Sequence, residues 1–205
     1  MPRSQFKGLT ITERKQLRRQ KIIQAGIERY GTAGFFAVTV KEICVTAHLT
    51  ERYFYESFKK SDELFQCIFL QLIAELQGNI LRAMAQSEES EAMLHNALHA
   101  FLTTLKNNPG MARIIYIDAM LIQELHQQAY IRQTMQRFES IVLTLLRKRE
   151  PEHLLSESEL SWVATGINGH VTHIAIRWVM DHFEQDLADV LAACALGFRT
   201  LHTQK

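Results

Sequence analysis

Apolar residues recur at intervals of three and four along most of this 205-residue chain, and no segment alternates regularly between apolar and polar positions. That period is typical of helices that bury one face, whereas half-buried strands would alternate. The longest such segment begins at Ser61 and runs toward Met84, and the next one is ended by a proline–glycine pair at residues 109–110. The pattern therefore predicts an all-α protein.

The first predicted helix begins at the capping box Thr10-x-x-Glu13 and ends near Gly31. Two short helices joined by a tight connection follow it, as in a helix-turn-helix. Their inward faces would be formed by Val40, Ile43, Cys44 and Ala47, and by Leu49, Phe54 and Phe58. Farther along, the pattern predicts helices from Met111 to about Leu125, from about Gln128 to Arg149, from the capping box Ser156-x-x-Glu159, and from about Glu184.

The second short helix leaves polar and aromatic residues on its outward face: Glu51, Arg52, Tyr53, Tyr55 and Lys59. An arginine can contact a guanine edge, a glutamate can accept from a cytosine amino group, and tyrosines can contact phosphates or thymine methyl groups. Thr50 precedes the helix as a predicted N-cap, where free N–H groups could donate to a phosphate. A solvated helix face is the alternative, but adjacent aromatic residues are unusual on a surface that meets only water.

From Ala25 to Leu64 the sequence resembles the TetR family of bacterial transcription regulators. The residues that match the family's order and spacing are Ala25, Tyr30, Gly34-Phe35, Thr39-Val40, Ile43, Ala47, Tyr55, Phe58 and Glu63-Leu64. The resemblance implies a three-helix DNA-binding head over residues 1–60 and a helical effector-binding and dimerisation domain over residues 61–205. The predicted DNA-contacting residues are Thr39, Lys41, Thr50, Glu51, Arg52, Tyr53, Tyr55, Lys59 and Lys60.

Two residues depart from the family's pattern. His48 stands where the family usually has glycine, so the turn must either hold histidine at positive φ or bend differently. Ser61 stands where the family often has a lysine that contacts phosphate, so Lys59 and Lys60 become the expected phosphate partners.

Charge is distributed unevenly along the chain. Residues 1–60 contain 12 Lys and Arg against 5 Asp and Glu, whereas residues 61–205 contain 11 against 17. A basic segment around the helix-turn-helix is expected if that part binds a polyanion. Binding to a membrane surface is the rival interpretation, but the apolar residues of this segment are needed for a three-helix core. An arm at residues 1–9, with Arg3 and Lys7, could contact DNA but is more simply a frayed terminus.

The three cysteines are far apart and set in apolar surroundings, as expected for reduced thiols. The N-terminus lacks an apolar leader, and no uncharged segment is long enough to cross a bilayer, so we expect a cytoplasmic protein without membrane partners.

Enzymes are an unlikely class, because the chain contains none of the common catalytic or nucleotide-binding motifs. No metal and no cofactor is predicted. The histidine pairs His95/His99 and His170/His173 could each share a metal, but solvated or hydrogen-bonded histidines are favoured. The Glu150-x-x-His153 pair is interrupted by a proline, which excludes it as a helical metal motif.

Large and flexible side chains in the C-terminal part suit a cavity in a helical bundle, although core packing explains most of them. The predicted effector-binding residues are Phe101, Met111, Ile115, Phe138, Trp162 and His170. The last two helices also carry small residues that would let paired helices approach closely in a dimer: Ala164, Gly166, Gly169, Ala175, Ala188, Ala192, Ala195 and Gly197.

Together with the resemblance, these observations predict a ligand-responsive transcriptional regulator of the repressor type. It would bind a near-palindromic double-stranded operator as a homodimer and be released by a small, mainly apolar effector. The alternative is a helical ligand-binding or adaptor protein that no longer binds DNA, which the departures at His48 and Ser61 keep open.

Overall fold

The computed structural model describes residues 10–127, 129–149 and 155–199. These residues form helices and turns without a strand, so the all-α prediction is confirmed. The predicted arm at residues 1–9 and the Glu150/His153 pair lie outside the described residues.

The α-helices that the structure describes are, in chain order, α1 (Ile11–Ala33), α2 (Val40–Thr46), α3 (Glu51–Tyr55), α4 (Ser61–Met84), α5 (Ser90–Asn107), α6 (Pro109–Arg113), α7 (Gln123–Gln127), α8 (Tyr130–Arg149), α9 (Glu157–Met180) and α10 (Leu187–Leu196). A single π-helical turn, Ile114–Asp118, continues α6 and is followed by a 3₁₀ turn, Ala119–Leu121. A second 3₁₀ turn, Phe35–Ala37, follows α1.

The N-terminal unit ends at Gln71, and its core is formed by α1, α2, α3 and the first turns of α4. Its fully buried side chains include Ile22, Ile23, Tyr30, Ile43, Phe54, Leu64, Phe65 and Ile68. Helix α1 passes close to α4 because Gly26 has no side chain: a Cβ there would lie 2.6 Å from Cδ1 of Ile68. Helices α2 and α3 both pack against α1.

The C-terminal unit begins at Leu72. Helix α8 packs along α9, and α10 packs against α5 and α9. The core includes Leu102, Leu105, Ala112, Ile114, Leu160, Trp178, Cys194 and Phe198. Between α4 and α5, Nδ2 of Asn79 donates to Oγ1 of Thr104 over 3.2 Å, so a polar contact fixes how these two helices pack.

Two helix boundaries differ from the predictions. The predicted helix from Met111 to about Leu125 is divided by the π-helical and 3₁₀ turns, which apolar periodicity cannot reveal because each turn is too short to establish a period of its own. The last helix begins at Leu187 rather than near Glu184, because His182 and Phe183 adopt positive φ values of 51° and 61° and form a turn before it. The capping box at Ser156 is present as predicted.

Helix α4 belongs to both compact units, which divide between Gln71 and Leu72 inside it. The predicted boundary at residues 60 and 61 stays a prediction. Among the described helices, α4 is long and apolar enough by length and composition to cross a membrane. Its apolar residues, such as Phe65, Ile68 and Leu76, are buried in the protein, which is the pattern of a core helix.

Candidate functional site

Helix α2 is held by a complete capping box at its N-terminus. Oγ1 of Thr39 accepts from the backbone N–H of Glu42 over 3.3 Å, and the Glu42 carboxylate accepts from the backbone N–H of Thr39 over 2.8 Å. These hydrogen bonds favour the ionised carboxylate and lower the pKa of Glu42. Arg29 of α1 approaches the same carboxylate at 3.3 Å, which ties α2 to α1. Thr39 and its neighbour Lys41 are both exposed at this end of α2.

The turn between α2 and α3 is built around His48, whose φ is 54°. Of the two expected possibilities, histidine at positive φ or a differently bent turn, the first is observed: His48 adopts the left-handed conformation that glycine would take. Backbone bonds from His48 N to Val45 O and from Leu49 N to Cys44 O close the turn. The departure from glycine thus leaves the helix-turn-helix geometry in place.

Helix α3 presents Glu51, Arg52 and Tyr55 to solvent. The Arg52 side chain is 83% exposed, and its Nε lies 3.2 Å from Oε1 of Glu56 one turn along the helix. An exposed pair of this kind contributes only about 0–1 kcal/mol, so Arg52 can exchange it for another partner at little cost. Thr50 is the N-cap residue as predicted, but its side chain makes no capping hydrogen bond.

Tyr53 was predicted to face outward, but it is half-buried. The guanidinium of Arg18 lies 4.4 Å from the centroid of the Tyr53 ring, and Arg18 also approaches Glu56 at 3.8 Å. These contacts hold α3 against α1. Tyr53 therefore contributes to the position of α3, and a role of its hydroxyl in DNA binding stays a prediction.

Two exposed lysines lie between α3 and α4. Glu63 accepts from the backbone N–H of Lys59 over 2.8 Å and thereby fixes the chain entering α4. Nζ of Lys60 lies 3.3 Å from the Asp62 carboxylate. Behind them, the Arg19 guanidinium lies 4.9 Å from the Phe58 ring centroid. Cationic side chains thus flank α3 along the chain and on the neighbouring helix α1.

The C-terminal unit contains a small apolar cavity of about 50 Å³. Its lining comes from α4, α5, the π-helical turn, α8, α9 and the turn after α10: Ile80, Ala97, Leu98, Phe101, Tyr116, Phe138, Ile141, Val142, Leu145, Asn168, Val171, Thr172 and Phe198. None of these residues is charged. The cavity therefore suits apolar groups together with neutral polar ones.

Two of the six predicted effector-binding residues, Phe101 and Phe138, line this cavity. Met111 and Ile115 are buried but are not among the lining residues. Trp162 is 75% exposed, so its predicted place in the bundle interior is corrected: it lies on the outer side of α9. His170 is also outside the lining, because its Nε2 lies 3.0 Å from the Ala193 carbonyl of α10.

Tyr116 lines the cavity but is not among the predicted effector-binding residues, although it is one of the large side chains of the C-terminal part that suit a cavity. The π-helical turn places Tyr116 beside Phe101, with ring centroids 6.4 Å apart and planes at 84°. The pattern of apolar and polar residues does not predict a π-helical turn. Asn168 and Thr172 could have been found, because they are polar residues four apart in an apolar helix and so must share one face.

The histidine pairs do not form a metal cluster. His95 and His99 stack on the exposed face of α5, with centroids 5.9 Å apart and planes at 17°. Among the described residues, no group of three or more potential ligands could hold a metal ion. The favoured interpretation of His170, a histidine hydrogen-bonded within the protein, agrees with its contact to α10.

Of the eight small residues predicted for a dimer interface, Ala195 and Gly197 are half-buried, and the other six divide into two groups. Ala164 and Ala175 are buried within the unit and are corrected accordingly. Gly166, Gly169, Ala188 and Ala192 are exposed, together with the larger apolar residues Trp162, Met180 and Leu196. The outer faces of α9 and α10 therefore carry apolar surface with small residues between the large ones.

No family model matches the chain. The nucleoid occlusion factor SlmA from Pasteurella multocida is 23% identical over 136 residues, which cover 66% of this chain and 68% of that protein. A bacterial regulatory protein in the TetR family from Rhodococcus RHA1 has a TM-score of 0.70 at 18% identity and covers 92% of this chain and 98% of its own. The regulator FadR from Bacillus subtilis in complex with stearoyl-CoA has a TM-score of 0.73 at 16% identity, covering 90% of this chain and 97% of its own. The chain has the fold of the TetR-family transcriptional regulators, as its resemblance in sequence implied.

Proposed function

We propose that this protein is a ligand-responsive transcriptional repressor that binds a near-palindromic operator as a homodimer. The observation that carries the proposal is the helix-turn-helix: α3 presents exposed Arg52 and Tyr55 within residues 1–60, which hold 12 Lys and Arg against 5 Asp and Glu. A cytoplasmic location follows from this role, because the operator lies there.

On this proposal, α3 enters the major groove. Arg52 releases Glu56 and donates to a guanine, which costs little because the pair is exposed. Tyr55, which is 57% exposed, contributes a hydroxyl to a phosphate or a ring to a thymine methyl. Thr39, Lys41, Lys59 and Lys60 contact phosphates on either side of the groove.

The dimer is proposed to form through the exposed apolar faces of α9 and α10. Trp162 and Met180 are 75% and 64% exposed, and Leu196 is 54% exposed. Single exposed apolar residues are common, but several large ones on two adjacent helices favour burial against another chain. A second copy is the natural occupant because two-fold symmetry would present the same two helices.

The effector is proposed to enter the cavity of the C-terminal unit. The similar FadR from Bacillus subtilis was solved with stearoyl-CoA, which supports an effector with a long apolar part. Ligand pockets usually enclose about 300–1,000 Å³, so a cavity of about 50 Å³ must widen to admit one. Because Ile80 of α4 lines the cavity, widening would displace a helix that continues into the DNA-binding unit.

A salt titration tests the DNA-binding part of the proposal. A duplex selected from random sequence would be titrated with the protein at increasing salt and followed by fluorescence anisotropy. Binding by several phosphate contacts predicts an association constant that falls steeply as salt rises, and tighter binding to the selected duplex than to a scrambled one. If neither duplex binds at low salt, the protein is instead a helical ligand-binding or adaptor protein whose head has lost DNA binding.

A further inference from the structure

Three residues with neutral polar side chains line the apolar cavity of the C-terminal unit: Tyr116 from the π-helical turn, and Asn168 and Thr172 from α9. Asn168 and Thr172 are four residues apart, so they lie one above the other on the same face of the helix. Tyr116 approaches from another element, held edge-on against Phe101. The remaining lining is apolar.

The three polar side chains of the cavity differ from other polar side chains of α9 in their hydrogen bonding. Thr165, on the same helix, donates its hydroxyl to the backbone carbonyl of Ser161 over 3.0 Å, as helical threonines commonly do. The side chains of Tyr116, Asn168 and Thr172, by contrast, make no hydrogen bond to any other residue that the structure describes. All three residues are half-buried, and none of their polar atoms is among the fully buried unpaired ones. Their unused donors and acceptors therefore remain available to a ligand in the cavity.

The chemistry of the three groups defines the ligand. Tyrosine is neutral at physiological pH, and burial raises the pKa of Tyr116 further, so its hydroxyl is a neutral donor and acceptor. The asparagine amide and the threonine hydroxyl can both donate and accept. No lysine, arginine or histidine lines the cavity, so a carboxylate or phosphate would be buried without a counter-charge.

We infer that Tyr116, Asn168 and Thr172 form the polar end of an effector site that selects an uncharged, mainly apolar molecule with one hydroxyl or carbonyl group. The inference rests on the proposed effector-binding function and narrows it to a chemical class. A charged headgroup, where a ligand carries one, has to remain outside the cavity.

Three probes with the same ring skeleton test the selection: toluene, benzyl alcohol and benzoate. Each is titrated against the full chain by calorimetry near neutral pH. Benzyl alcohol is expected to bind about three- to tenfold more tightly than toluene through its hydrogen bonds, and benzoate at least about tenfold more weakly than benzyl alcohol. Benzoate binding as tightly as benzyl alcohol, or no probe binding at millimolar concentration, overturns the inference.

Single substitutions then assign the effect to residues. Tyr116→Phe, Thr172→Val and Asn168→Leu each remove hydrogen-bonding atoms with little change in volume, and each is expected to remove part of the preference for benzyl alcohol over toluene, which is about three- to tenfold in the unchanged protein. Thr165→Val is the matched control on α9 and should leave the preference unchanged. Toluene affinity shows whether a variant is folded, because it depends only on the apolar lining. An undiminished preference in all three variants contradicts the assignment.

A further measurement distinguishes failure of the ligand site from failure of the proposed regulatory function. Operator binding is measured on the same proteins without and with benzyl alcohol. If benzyl alcohol binds selectively but leaves operator affinity unchanged, the ligand site is supported and its regulatory role is refuted. A ligand shifts DNA binding only when it binds the free protein and the operator complex with unequal affinity.

Discussion

The proposed DNA-binding face and the cavity proposed for an effector are built in different ways. Every predicted DNA-contacting residue lies between Thr39 and Lys60, on two short helices and the turns beside them. The cavity instead collects side chains from Ile80 to Phe198, carried by six different elements. The first surface is thus specified by local pattern, whereas the second exists only after distant helices have packed together.

This difference explains what the sequence revealed. The helix-turn-helix was predictable because spacing, capping and turn residues all lie within one short segment, and α2 and α3 have the expected order. The half-buried position of Tyr53 was not predictable, because it depends on Arg18 of α1. In the cavity, Phe101 and Phe138 were found by residue type, whereas Tyr116 depends on a π-helical turn that no periodicity shows.

The largest effect should come from Phe54→Ala. Phe54 is fully buried in the N-terminal unit and also packs against Phe58, with ring centroids 5.8 Å apart. Losing a buried phenylalanine costs about 3–5 kcal/mol, so the N-terminal unit should lose protection against exchange while the C-terminal unit keeps most of its own. Hydrogen exchange measures both units in one experiment, with Val45→Ala as the exposed control. Equal loss of protection in both units would show that the two regions are not independent.

Arg52→Ala should come next and should act on DNA binding alone. Losing a base contact costs about 1–3 kcal/mol and relaxes sequence preference at one position. Tyr55→Phe should weaken all duplexes alike if its hydroxyl contacts phosphate. Anisotropy with a panel of single-position duplex variants separates the two patterns, and Arg132→Ala in the C-terminal unit is the charge-matched control. Unchanged binding by both variants would refute the assignment of α3 as the recognition helix.

A smaller effect is expected at the turn that holds His48 at positive φ. A β-branched residue fits that conformation poorly, so His48→Val should destabilise the N-terminal unit by about 1–2 kcal/mol. His48→Asn is the control, because asparagine tolerates the left-handed region. Thermal unfolding followed by circular dichroism compares the two. If valine is as stable as asparagine, the turn is not conformationally constrained as described.

The smallest effect is a pH dependence that the two regions share. The pKa values of Glu42 in the N-terminal unit and Glu159 in α9 are both lowered by hydrogen bonds within their capping boxes. A carboxyl with a lowered folded pKa contributes stability that is complete above its unfolded value of 4.5 and is lost as pH falls further. Thr39→Ala and Ser156→Ala should each flatten this acid-side decline. An unaltered pH profile in both variants would contradict the role given to the capping boxes.

The most direct test of the regulator itself is the stoichiometry and spacing of its binding to a selected duplex. Footprinting and sedimentation of the complex should show two chains on two half-sites about 34–36 Å apart, and scrambling one half-site should abolish most of the affinity. One chain per duplex, with affinity unaffected by scrambling either half, would contradict a dimeric regulator that reads a near-palindromic operator.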